Sequence, residues 1–194
     1  MLLPQVKISI VSFLNGKRVD GFDLRESHTW VRNAYNVTAY TLLDLTPSGV
    51  AFGDGYINCK VPDGTIKTTL GGWAWVGGAG TANGIVVGTG STAWTFEDYK
   101  LETLIAHGNG AGQLSYVVTE TITDAFVGDV VTTTGQRYFN NNSGGTIGIN
   151  EVGLYTVSSV GYGLATRDVL GATVDVPNAG QLLVTYQISG DCSP

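Results

Sequence analysis

The sequence predicts a mainly β protein, an antiparallel β-sandwich of jelly-roll-like form with an N-terminal arm and one short helix. Three observations carry that expectation. Apolar and polar residues alternate over short runs, most clearly where Leu182, Val184, Tyr186 and Ile188 share one face. Gly supplies 28 of 194 residues, roughly twice its usual share, with no collagen-like period. Val, Ile, Thr and aromatic residues fill the runs between these breaks, as strands joined by tight turns require.

Taken in order, residues 5–14 place Val6, Ile8 and Ile10 on one face and Lys7 and Ser9 on the other. Asn15-Gly16 ends this strand in a turn. As an alternating arm it is suited to adding a strand to a neighbour's open sheet edge, the β-augmentation mode. Asp20-Gly21 marks a further break. Ser27 can cap a helix, and Trp30, Val31, Ala34, Tyr35 and Val37 recur at helical spacing, which predicts a helix over 27–43. Its β-branched content leaves a strand as the alternative for the second half. Residues 56–61 and 65–70 flank Pro62-Asp63-Gly64, a hairpin turn in which Pro fixes φ and Gly accepts a positive one. Residues 71–84 are Gly-rich and carry Trp73 and Trp75, so a boundary is placed there. Residues 1–83 form an N-terminal attachment region and 84–194 the sandwich.

Beyond the boundary almost everything reads as strand. Residues 113–123 put Leu114, Tyr116, Val118 and Ile122 on one face, with Glu120 the odd member near an edge. Over 147–157 the phase slips, since Ile147 and Ile149 are odd-numbered while Val152 and Leu154 are even. A β-bulge near Asn150–Val152 explains this, as does a central strand that is apolar on both faces. Val174 and Val176 alternate into the turn Pro177-Asn178-Ala179-Gly180.

Only 13% of residues are charged, about half the usual share. The net charge is −6 and the ten basic residues are scattered, which argues against nucleic acid. No apolar run approaches the ~18 residues of a membrane span, and the N-terminus lacks the pattern of a signal peptide. Cys59 and Cys192 read as free thiols, with a long-loop disulfide as the alternative. Gly88-Thr89-Gly90-Ser91-Thr92-Ala93 fits G-x-G-x-x-A, but Trp94-Thr95-Phe96 follows where a dinucleotide fold needs a helix, so these are turn glycines. His28 and His107 lack the ligand spacing of a zinc site, and His107 reads as a solvated turn residue. Adjacent Glu97-Asp98 cannot face one another across a cleft as a glycosidase requires. Asp54, Asp63 and Asn140-Asn141-Asn142 read as turn formers rather than Ca²⁺ ligands. The sequons at Asn36 and Asn141 read as chance. No catalytic, cofactor or metal residues are therefore expected. Glu151, in an apolar setting, is expected to pair with Arg137 or Arg167. Trp73, Trp75 and Trp94 read either as ordinary core tryptophans or as exposed residues for an interface or for stacking on sugar rings.

Several short segments resemble a family of accessory virion proteins of tailed bacteriophages. They are Trp30 to Asn36, Ile85 to Gly90, Asp98 to Leu101, Arg137 to Gly144, Ile149 to Tyr155, Arg167 to Leu170 and Val176 to Val184. The resemblance implies a non-enzymatic virion protein made in the host cytoplasm. Within that class it implies a capsid-decorating (cement) protein that binds the major capsid protein as a homotrimer. A tail or tail-tip component is the alternative, and a carbohydrate-binding sandwich is the reading from another class. The expected partner surface comprises Val6, Ile8, Ile10, Trp30, Tyr35, Trp73 and Trp75, with a glycan as a possible further ligand.

Overall fold

A computed structural model describes residues 4–27, 30–36, 58–68, 77–80, 83–120, 122–158 and 161–191. Trp73, Trp75, His28, Asp54 and Cys192 lie outside the described residues, as does the predicted helix beyond residue 36.

Eleven strands are described: β1 Gln5–Leu14, β2 Lys17–Ser27, β3 Asn58–Lys60, β4 Ile66–Thr68, β5 Gly84–Gly88, β6 Ser115–Thr119, β7 Thr123–Val127, β8 Val130–Asn140, β9 Ile147–Ser158, β10 Gly161–Val176 and β11 Gln181–Asp191. The larger sheet runs β2-β1-β11-β8-β6, with β7 also on β8; the smaller runs β10-β9-β5. All these pairs are antiparallel. The inward rows of both sheets meet in one core. Ile8, Ile10, Phe139, Val184 and Tyr186 come from the larger sheet, and Ile85, Ile149, Leu154, Leu164 and Val176 from the smaller. Each such side chain contributes roughly 1.5–3 kcal/mol by leaving water. The antiparallel sandwich is thus present. The strand pairing alone goes no further than that and does not establish a jelly roll.

The N-terminal strand is the main correction. β1 is not a free arm: it is hydrogen-bonded to β2 on one side and to β11 on the other. Val6, Ile8 and Ile10 are 1%, 2% and 0% exposed, so the apolar face read as an arm's docking face is core. Strands from both sides of the boundary at 83/84 share the larger sheet. Alternation marks a face for burial and does not say which chain buries it.

The turns match the sequence closely. Asn15 and Gly16 both have positive φ, 51° and 74°, the signature of a type I′ hairpin joining β1 to β2. Pro62-Asp63-Gly64 joins β3 to β4, and Asp63 accepts from the Thr65 N–H and hydroxyl. Asp20-Gly21 does not end a strand. It bends β2 between two register shifts, and Gly21 (φ 105°) is required there because a Cβ would lie 2.1 Å from the Ile10 carbonyl oxygen. Ser27 closes β2 rather than capping a helix, and residues 32–36 are helical.

The phase slip in β9 has its own explanation. β9 lies between β5 and β10, and from Glu151 to Thr156 every residue is buried, so it is a central strand covered on both faces. The irregularity is real but belongs to β10. Val169 pairs with Glu151 and Val174 with Ile149, so the extra residues bulge from β10 opposite Asn150. On β6 the alternation fails at Val118, which is 47% exposed, because the pairing with β8 shifts between Tyr116 and Thr119. Glu120 is exposed just past this edge strand, as its position in the pattern suggests.

Candidate functional site

The densest polar constellation surrounds Glu151. Its side chain is fully buried, and its carboxylate is ringed by donors. Oε1 accepts from the Gly90 N–H at 3.1 Å and the Thr103 N–H at 2.8 Å. Oε2 accepts from the Glu102 N–H at 3.0 Å and from Arg167 Nε at 2.8 Å. Arg167, 3% exposed, then reaches Asp98 through Nη1 at 2.9 Å and the Thr92 carbonyl through Nη2 at 3.1 Å. Glu102 lies 3.5 Å from the same Nη2. Burial disfavours the Arg167 charge, but its hydrogen bonds to Asp98 and Glu151 outweigh that and hold its pKa above the ordinary arginine value. Of the two arginines expected opposite Glu151, the structure selects Arg167.

This arrangement explains the glycine motif. A Cβ on Gly88 or on Gly90 would lie 2.5 Å from Glu151 Oε1. The glycines let the backbone close around an anion, which is what such glycines do for a pyrophosphate, but here the anion is the chain's own carboxylate. No helix follows, and residues 89–95 are irregular. The loop over 89–104 is held against the outer edge of β5, where Thr89 N bonds Thr103 O and Ile105 N bonds Val87 O. An unprotected sheet edge is thereby covered.

Arg137 is the second buried cation. It donates to the carbonyls of Val117, Asn83, Ile85 and Gly78 at 2.7–2.8 Å. Its guanidinium lies over the Tyr116 ring, 4.9 Å from the centroid. Burial brings its pKa down to about 10, so it stays charged at neutral pH. Chemically, both centres clamp loops: their donors and acceptors are engaged by the chain's own backbone and, at Arg167, by the carboxylates of Glu151 and Asp98. Burial likewise pushes the Cys59 thiol up to about 12, so it is a neutral, unreactive group at neutral pH.

The remaining expectations fall as follows. Trp30 is half-buried, packs on the core and donates its indole N–H to the Pro4 carbonyl at 2.7 Å. Tyr35 is exposed and stands edge-on to Phe96. Glu97 pairs with Arg32, while Asp98 closes a turn with Thr95 as well as binding Arg167. His107 is exposed, as a turn residue should be, and its Nδ1 accepts from the Tyr116 N–H. Asn36 and Asn141 are buried, so neither sequon presents its amide. Asn141 instead ties the 141–145 turn to Val176. Among the described residues no group of three or more His, Cys, Asp or Glu could hold a metal ion. No helix among them is long and apolar enough to cross a membrane.

No family model, curated protein or solved structure matches this chain.

One exposed feature was missed in the sequence. β7 and β8 form a hairpin with a two-residue turn at Gly128-Asp129, where Gly128 has φ 59°. At its tip Phe126 and Val127 are 74% and 76% exposed, and Val130 stands beside them, also exposed. The signal was available as apolar residues flanking a Gly-Asp turn. Asp124 and Asp129 interrupt the apolar run there, so no single face stands out in the sequence.

Proposed function

We propose that this chain is a non-enzymatic structural protein of a tailed-phage virion, and within that class a capsid-decoration protein that binds the major capsid protein as a homotrimer. The observation that carries an attachment role is the β7–β8 hairpin. Large apolar side chains held in water at a defined tip mark a contact surface. Residues 113–136 contain Glu120, Asp124 and Asp129 and no Lys or Arg. The receiving surface is therefore an apolar cleft rimmed by cations. The inward use of Glu151, Arg167 and Arg137 supports the same reading, since it stiffens the loops and leaves a scaffold rather than a reactive pocket. The segments that resemble virion proteins supply the class.

The test is co-sedimentation of the purified protein with capsids that lack it. The double variant Phe126→Ser, Val127→Ser should lose capsid binding while melting at the wild-type temperature, because neither side chain is core. Binding that survives the double variant would remove the hairpin as the attachment point. Copy number per virion separates the runner-up: hundreds of copies fit the capsid, and a handful fits a tail or tail-tip component.

A further inference from the structure

The outer face of the larger sheet carries an open groove of about 590 Å³ at the end nearest the β1–β2 turn. Its floor is a cross-strand row. Phe13 of β1 pairs with Gln181 of β11, which pairs with Asn140 of β8. Tyr138 stands two residues back along β8. Asn15 and Gly16 form one rim, Ala179 and Gly180 another, and Asn142 closes the end. Three properties of this lining point to one ligand chemistry.

The first is charge. Among the described residues, no Asp, Glu, Lys, Arg or His lines the groove, in a chain where such residues number 28. A phosphate, a uronic acid or a cationic ligand would find no counter-charge there. The second is the concentration of carboxamides: Asn15, Asn140, Asn142 and Gln181. A carboxamide presents a donor and an acceptor side by side, the complement of a hydroxyl, which is both. Gln181 Nε2 donates to Asn140 Oδ1 at 2.9 Å. That bond orients the pair and leaves Asn140 Nδ2 as donor and Gln181 Oε1 as acceptor for neighbouring hydroxyls. The third is aromatic surface. Phe13 and Tyr138 are half-buried and present ring area beside the amides, and an aromatic ring is suited to lie against the C–H face of a pyranose. The row crosses two strand spacings, about 10 Å, the length of a disaccharide.

We propose that this groove is a binding subsite for a neutral hexose or N-acetylhexosamine, one to two sugar units long. It is independent of the decoration reading: a virion protein of any location, or a protein of another kind, could carry it. Trp94 does not line it.

The experiment is a titration of the full ¹⁵N-labelled chain, followed by amide correlation spectra. The probes are glucose, galactose, mannose, N-acetylglucosamine and their β-linked dimers, with glucuronic and N-acetylneuraminic acids as charged controls. Saturable shifts are expected with at least one neutral sugar at the Gly16 and Gly180 amides and the side-chain amides of Asn140 and Gln181. Asn15→Gly removes one carboxamide while suiting the positive φ of the turn, and Tyr138→Ala removes a ring. Each should weaken binding about fivefold, the first with an unchanged melt. The proposal is overturned if no neutral sugar gives saturable shifts, if the shifts centre on Trp94, if the charged sugars bind as well, or if Asn15→Gly, which leaves the fold intact, binds as tightly as wild type.

Discussion

At the scale of single residues, Arg137, Glu151, Arg167 and Asp168 stand out as charged groups that are buried. Glu151 illustrates the cost and the return. A buried carboxylate is tolerated only when its lone pairs are filled and a cation stands beside it, and here three backbone N–H groups and Arg167 do both. Glu151→Gln keeps the shape but removes the charge opposite Arg167. It should cost on the order of 3 kcal/mol, read as a lower urea midpoint with an unchanged slope. A second prediction concerns Glu102. The Thr92 N–H and hydroxyl hold its carboxyl below the ordinary glutamate value. A folded pKa below the unfolded one adds stability above the unfolded value and loses it as pH falls through the folded value. An NMR titration should find Glu102 protonating below the usual glutamate range, and Thr92→Ala should return it upward. The sequence made Glu151 conspicuous, as an acid among apolar residues, but could not choose between two arginines. Arg137 and Arg167 sit in similar patterns, and only the β9–β10 pairing brings Arg167 alongside.

At the scale of elements, turn chemistry and period did most of the work. Asn15-Gly16, Pro62-Asp63-Gly64 and Pro177–Gly180 each fix a backbone geometry locally, so they could be read from a few residues. Gly21 could not. Its dipeptide looks like a turn, yet it lies inside β2, where a bulge brings the β1 backbone against it. Gly21→Ala should therefore strain both strands and lower stability by on the order of 1–3 kcal/mol, measured by chemical denaturation. An unchanged midpoint would mean the bend relaxes elsewhere. The slip in β9 was visible as a conflict of phase. Which strand bulged was not, because a register shift is a property of a pair of strands and the sequence shows each one alone.

At the scale of the whole molecule, the antiparallel sandwich was legible, and the role of its first strand was not. Val6, Ile8 and Ile10 announce an apolar face, but nothing local says that the face closes on the chain's own core. That depends on the smaller sheet that faces it and on β11, which pairs with β1 from the far end of the chain. Deleting residues 1–14 should thus abolish cooperative unfolding by calorimetry rather than merely detach the protein from a partner. A truncated chain that still melted cooperatively would contradict the pairing. The same pairing has a consequence for biosynthesis. While the chain emerges from the ribosome, the β1–β2 hairpin exists long before β11 does, with an apolar face and an unpaired edge exposed. Folding of the larger sheet must wait for residues 181–191, a long-range closure that is slow and open to misassembly. High expression should therefore favour aggregates seeded by the nascent hairpin, and slower synthesis or lower temperature should raise the soluble yield.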